Sequence, residues 1–218
     1  MSHNGITSIA EKPTLRRDLN AQSTRAEILK VARAAFADRG YSAVTLDEVG
    51  RAAKATTGAI YHHFGGKAEL LFAVGESVEQ EVMAGIGSRI PANATPWMAL
   101  QSAATATLEI CSRPEVARII FREAPNTLGA SAWREVEMRY GLGGLHALFQ
   151  RASQAGELYP NDPALVTRLM MAVLVEAVEA LVEEPDAERA KFLHTAILRV
   201  LDTFKPSIPP SLAIRNKQ

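Results

Sequence analysis

Thr45-Leu-Asp-Glu-Val-Gly-Arg-Ala-Ala-Lys-Ala-Thr-Thr-Gly-Ala-Ile-Tyr-His-His-Phe-Gly-Gly-Lys-Ala-Glu-Leu70 reads as two short helices separated by a tight turn, with a third helix opening at its end. Thr45 is placed to cap the first helix, and Glu48 three residues on completes a capping box. Leu46, Val49 and Ala53 line its inner face, and it stops near Ala53 or Lys54. Thr56 or Thr57 opens the second helix, with Ile60, Tyr61 and Phe64 as its apolar positions, and Gly65-Gly66 break it. Two short helices joined by a turn of three or four residues form a helix-turn-helix. Gly50 supplies the small residue needed where they cross. Ile60 and Phe64 can dock the second helix, leaving Thr57, Gly58, Ala59, Tyr61 and His62 available outward. Gly58 and Ala59 let its backbone approach a groove floor. Thr56 and Thr57 can donate to phosphate, and free N–H groups at a helix start favour anions.

Working outward, Ile28, Val31, Ala32, Ala35 and Phe36 share one face of a supporting helix. It is expected to start at Ser23 or Thr24, with Glu27 at capping-box distance from Thr24, and to end at Gly40. Residues 1–21 read as a flexible arm. A fourth helix opens at Lys67 and runs through Leu70, Leu71, Val74, Val78 and Val82 to about Ile86. Composition changes after Pro91–Pro96. Further helices are expected over about 97–112, 114–124, 131–155, 163–184 and from Pro185-Asp186 to about 204, with a loop at 125–130 and a flexible tail over 206–218. No strand-length alternation occurs, so the reading is an all-α chain of two domains: a helix-turn-helix domain over 22–82 and a helical bundle over 83–205.

The chain has 218 residues, 47% of them hydrophobic but only 6% aromatic, and a formal net charge of zero. Zero charge by itself argues against nucleic acid as a partner. The distribution argues otherwise: between Arg16 and Lys67 nine basic residues stand against five acidic ones. A basic module on an acidic body is the electrostatic footprint of a DNA reader with a second task. Cys111 is the one cysteine, so no internal disulfide forms, which suits a reducing cytoplasm. The first twenty residues lack a signal-peptide pattern. The most apolar run, Leu165 to Val182, is interrupted by Arg168, Glu176 and Glu179 and reads as a buried helix rather than a membrane span. The expected location is cytoplasmic.

The quoted stretch, together with Ile28 to Phe36 and the Asp-Arg-Gly40-Tyr41 that follows, resembles the TetR family of bacterial regulators. The resemblance covers about residues 22–82, and the run from Thr57 to Leu70 is its specific part. Beyond that it rests on length and helix count. It implies that Thr45, Tyr61, His63 and Lys67 contact DNA phosphates, that Thr57, Gly58 and His62 face bases or the adjacent backbone, and that Phe36 and Phe64 are core. Lys67 would cap the helix that transmits ligand binding to the DNA heads. Two positions depart from the family: Lys54 where the turn usually has Gly, and Gly50 where Ala is usual. A non-glycine residue in a left-handed turn costs about 1 kcal/mol, so either the turn is altered or Lys54 offsets the cost through a phosphate contact.

The resemblance further implies a homodimer formed by the last two predicted helices, through stripes of Leu165, Leu169 and Val173 and of Leu193, Ile197, Val200, Leu201 and Phe204. It implies a palindromic double-stranded DNA operator and repression relieved by a small-molecule effector. The effector would lie in an apolar cavity of the bundle, with Trp97, Phe121, Trp133, Tyr140, Met170 and Glu176 as candidate contacts. The alternative is a protein co-regulator of the same fold that has lost DNA binding.

Other features read blandly. His62 and His63 are helix neighbours pointing to different faces, a poor metal chelate. His3, His146 and His194 are isolated. Gly141-Leu-Gly143-Gly144 lies within a predicted amphipathic helix and suits close packing better than phosphate. Cys111 reads as an inert small hydrophobe or, less simply, a redox sensor. Glu176 and Glu179, three apart on an apolar helix, would be buried carboxylates paired with a cation or lining a pocket that accepts one. No nucleophile–base pair or dinucleotide fingerprint appears, so no enzymatic activity, cofactor or metal is expected.

Overall fold

Among the described residues, 11–206 in this computed structural model, every regular element is helical. The first ten residues of the expected arm, His3 among them, and residues 207–218 of the expected tail lie outside the described residues. In chain order the helices are α1 (Glu11–Arg39), α2 (Leu46–Ala52), α3 (Thr57–Phe64), α4 (Lys67–Arg89), α5 (Pro96–Cys111), α6 (Pro114–Ala117), α7 (Ala124–Leu128), α8 (Ala130–Arg139), α9 (Gly141–Gln154), α10 (Pro163–Glu183) and α11 (Ala187–Asp202). A π-helical turn over Arg118–Glu123 joins α6 to α7. These elements fall into two compact units, one ending at Val74 and the other beginning at Gly75, so that the single helix α4 contributes to both.

The first unit is built on α1. Ile28, Ala32 and Phe36 present the expected stripe and are fully buried, against Val44, Val49, Ile60, Leu70, Leu71 and Val74. α1 is already helical at Glu11, the first described residue and a full three turns before the expected Ser23 or Thr24, so residues 11–21 are helix rather than arm. Leu, Arg, Ala and Gln there are good helix formers. Thr24 does not cap. Its hydroxyl donates to the Asn20 carbonyl at 2.9 Å, the way a threonine inside a helix bonds one turn back.

The second unit departs from expectation twice. Pro125 was expected in a loop but lies in α7, directly after the π turn. A proline inside an α-helix clashes with the carbonyl four residues back. Here the preceding ladder is widened, with the Ala124 N–H donating to Ile119 O five residues back. The single helix expected over 131–155 is two, broken at Tyr140 (φ −105°, ψ −82°). Three glycines follow the break. At Gly143 an added Cβ would stand 2.5 Å from the Met138 carbonyl, so the chain turns there in a space only glycine fits. The Gly141–Gly144 run therefore lies in the first turn of α9 instead of the middle of one long helix.

Trp133 and Phe149 are fully buried in this unit, and Trp133 lies against Gly75 of α4 so closely that a Cβ there would fall 2.6 Å from the indole. α10 buries Val166, Met170, Leu174, Ala177 and Val178. Glu176 and Glu179 are exposed, contrary to the buried pair expected from the apolar run. They lie on the outer face of α10 with Leu165, Leu169 and Ala172, one helical stripe round from the buried one. Likewise Ile197 and Leu201 of α11 turn inward and are buried, while Phe192, absent from the expected stripe, is 70% exposed. No helix of the described residues is long and apolar enough to cross a membrane.

Candidate nucleic-acid interface and ligand cavity

The helix-turn-helix is held by its own caps. Thr45 is the N-cap of α2: its side chain accepts from the Glu48 N–H at 3.3 Å, and the Glu48 carboxylate accepts from the Thr45 N–H at 2.9 Å. Arg39 of α1 donates to the same carboxylate at 3.2 Å. The Thr45 N–H first, then Arg39 and the Thr45 hydroxyl, hold the Glu48 carboxyl down at about 2. Its folded value lies below the ordinary 4.5, so the stabilisation is present above that pH and is lost as pH falls toward 2.

The turn keeps its left-handed residue, and Lys54 occupies it at φ 54°. The Ala55 N–H donates to Gly50 O at 2.8 Å across the turn. Gly50 is buried, and a Cβ there would stand 3.0 Å from Ala55 O and 3.6 Å from Ile60 Cδ1. Of the two expectations for Lys54, the altered turn is not the geometry present: the left-handed residue is kept.

Thr56 caps α3 by accepting from the Ala59 N–H at 3.1 Å. Thr57 is half-buried and donates to Asp47 of α2 at 2.5 Å, so its proton ties the two helices together rather than being offered outward. Gly58, Tyr61 and His62 share the exposed face of α3, as their i, i+3, i+4 spacing requires, with Tyr61 56% exposed. His63 is half-buried between the His62 and Phe64 rings. Phe64, expected in the core, is also half-buried, with the Arg25 guanidinium 5.0 Å from its ring centre. Ile60, one turn earlier, is the residue of α3 that is fully buried. Lys67 is the first residue of α4 and does not cap it. Its ammonium sits 4.2 Å from the Tyr41 ring centre, a cation–π contact that orients the side chain.

The second unit contains a cavity of about 290 Å³ walled by α4, α5, the π turn, α8, α9 and α10. Of the six residues expected to touch an effector, Phe121 alone lines it. Trp97 is buried elsewhere, its backbone N–H donating to Glu157 and its indole to Asp202. Trp133 packs on Gly75, its indole N–H without a partner. The Tyr140 hydroxyl donates to Glu76 and accepts from Gln80. Met170 faces the buried side of α10, one residue from the cavity-lining face carried by Met171, Leu174, Val175 and Val178. Glu176 is exposed.

Sequence reading missed the two carboxylates of the wall, Glu79 and Glu137. Glu79 carried a signal: it follows Gly75 by four and precedes Val82 by three, on the stripe that α4 buries. Burial, and then the Glu137 charge, push its carboxyl up to about 7. Burial also raises Glu137, with Arg134 opposing. Cys111 lines the same wall, where burial and the Glu79 charge push the thiol up to about 12. A thiol so disfavoured as thiolate is a poor redox sensor. Among the described residues no group of three His, Cys, Asp or Glu side chains is placed to hold a metal.

Comparison with known proteins bears on both units. A family model described as bacterial regulatory proteins, tetR family, matches residues 28–74, and one described as tetracyclin repressor-like, C-terminal domain, matches 97–204. The transposon Tn10 TetC protein of Escherichia coli is 28% identical over 151 residues, 69% of this chain and 76% of that protein. A TetR-family transcriptional regulator of known structure from Pectobacterium atrosepticum is 28% identical, with a TM-score of 0.73 over 88% of this chain and 98% of the other. The SmeT–triclosan complex, 22% identical, has a TM-score of 0.66 over 86% and 95%.

Proposed function

This chain belongs to the tetR family of bacterial regulatory proteins and is a DNA-binding transcriptional regulator; from that premise we propose that it is a homodimeric repressor, released from a palindromic operator by a small molecule held in the cavity of its second unit. Family members bind DNA and small-molecule ligands and are typically dimers.

The observation that carries the operator reading is Gly58. It lies on the exposed face of α3, and a Cβ added there would meet only Thr56 Oγ1, at 3.8 Å. The fold itself has no use for glycine at this position, and glycine inside a helix costs about 1 kcal/mol relative to alanine. Close approach of a groove floor gives that cost a purpose. Gly58→Ala is therefore expected to stabilise the protein by up to about 1 kcal/mol while weakening DNA binding, read by urea unfolding and by DNA titration of the same preparation. Stronger DNA binding by the variant would remove the argument.

Tyr61 and His62 beside Gly58 support base or backbone contact, and Lys54, Thr56, His63 and Lys67 are the phosphate donors of this reading; Thr45, whose N–H and hydroxyl both donate to Glu48, contributes by fixing the start of α2. Thr57 contributes by fixing α3 on α2. Lys67→Ala should weaken binding to all sequences alike and reduce the salt slope of log affinity by about one. An unchanged slope would show that this ammonium meets no phosphate.

The dimer reading is supported by exposed apolar area where the family pairs subunits. Leu165 and Leu169 of α10 and Phe192 of α11 are exposed. Glu176 and Glu179 of α10 and Lys191 and Arg199 of α11 give that surface opposite charges that a twofold partner can match. Two heads would then read half-sites about 34–36 Å apart, or a multiple of that. The ligand acts as a repressor release only through its differential affinity for the DNA-competent state.

The test is selection of duplexes from a random pool by the purified protein at stated salt. Recovery of an inverted repeat supports the dimeric operator reading. Recovery of no motif at low salt overturns it.

A further inference from the structure

The cavity wall is apolar except at Glu79, Glu137, the Cys111 thiol and Thr107, whose hydroxyl donates to the Ala103 carbonyl. Glu79 on α4 is 6% exposed, and among the described residues no hydrogen bond or ion pair reaches its carboxylate. Its Oε2 faces the α9 wall, 3.9 Å from the point where a Cβ on Gly141 would stand. Glu137 on α8 lines the same space, half-buried and near enough for its charge to act on Glu79. A buried carboxylate without a partner is costly, and a second one of like charge adds to the cost. Among the described residues no lysine, arginine or histidine lines the cavity; the Arg134 charge acts on Glu137 from outside the lining, and no cation acts on Glu79.

We propose that the cavity takes an amphipathic organic cation, an alkyl- or arylamine protonated at neutral pH, with its ammonium against Glu79 and Glu137 and its hydrocarbon on the apolar wall. The inference rests on the reading of the second unit as ligand-binding and names the ligand's chemical class. A neutral ligand would leave the Glu79 carboxylate without a cation. An anionic one would face two like charges in a low-dielectric site.

An ammonium stabilises the ionised form of Glu79, so amine affinity must rise with pH through the region near 7. Cys111 of α5 and Glu137 of α8 are the other titratable groups in the wall, and Arg134 of α8, outside it, acts on Glu137. The thiol stays neutral throughout, while Glu137 shares the ammonium.

The experiment is calorimetric titration of the full chain with 4-phenylbutylamine, 4-phenylbutan-1-ol and 4-phenylbutyrate, which share one skeleton and differ in charge. At pH 8 the amine should bind more tightly than the alcohol by about tenfold or more, and the carboxylate most weakly. The preference for amine over alcohol should shrink at pH 6. Glu79→Gln should bring the amine-to-alcohol ratio close to one, and Glu137→Gln should reduce it, which keeps the test decisive if one variant fails to fold. Equal or tighter binding of the alcohol or carboxylate, binding of none of the three, or an undiminished ratio in both variants would overturn the proposal. Operator selection uses no ligand. A protein that selects an inverted repeat but shows no amine preference refutes this inference alone, and the reverse result refutes the operator reading alone.

Discussion

Glu79→Gln is expected to stabilise the protein by roughly 3 kcal/mol at pH 8 and to leave its stability almost unchanged at pH 4. The Glu79 carboxyl stands near 7 in the folded chain, against an ordinary 4.5, because burial and the Glu137 charge disfavour its ionised form. For a raised value the stabilisation is complete below 4.5 and is lost as pH rises to about 7. Above that the folded chain carries the whole cost of a buried charge. Glutamine keeps the shape and cannot ionise, so the variant escapes the loss. Urea unfolding of both proteins at pH 4, 6 and 8 reads the difference directly, and comparing them at each pH cancels the titration of groups not coupled to Glu79. Equal stability at pH 8 would mean that the carboxylate is solvated, and the cost on which the ligand argument rests would not exist. A bound cation should offset the same cost, so the wild type should gain more from an amine at pH 8 than at pH 6.

Phe36→Ala is the most damaging change expected in the first unit. Phe36 is fully buried, tilted against the Tyr41 ring at 5.8 Å, in a core that includes Ile28, Ala32, Val49, Ile60, Leu70 and Leu71. Truncating a buried phenylalanine costs about 3–5 kcal/mol, through lost transfer energy and the cavity left behind. A core this small has little to absorb such a loss. The expected result is loss of hydrogen-exchange protection across α1, α2 and α3 and loss of DNA binding. Amides of α5, α9 and α10 should keep their protection, because their core is formed by other residues, Trp133, Phe149 and Met170 among them. Loss of protection across both units together would show that they unfold as one cooperative body.

The helix-turn-helix was legible because its information is local. Thr45 and Glu48 cap α2 within one turn, Thr56 caps α3, and Gly50, Ile60 and Phe36 fall at helical spacings that hold whatever the rest of the chain does. Even its departure at Lys54 was visible as a residue of the wrong kind for a left-handed turn. What misled was equally local: Thr24 looks like a cap, yet the helix formers before it continue α1 to Glu11, and its hydroxyl turns back on Asn20.

The second unit was legible only as helices. Periodicity separates an apolar face from a polar one, but it does not tell which of several apolar neighbours turns toward a cavity, a helix or a second subunit. Met170 and Met171 differ by about 100° of helix rotation, and only Met171 reaches the cavity. Trp97 and Trp133 were the conspicuous aromatics, and both are spent on packing. Glu176 and Glu179 looked buried because their helix is apolar on more than one side, whereas α10 leaves that side uncovered.

By itself the sequence determined the class of the protein: the helical fold, the reading head and the family, all written in caps, turns and spacings of a few residues. Tertiary structure decided the chemistry of the cavity. Glu79 and Glu137 lie 58 residues apart in the chain, and their shared confinement in one apolar wall arises only when α4 and α8 fold around the same space. Burial and mutual repulsion are properties of that enclosure, and no local pattern encodes them.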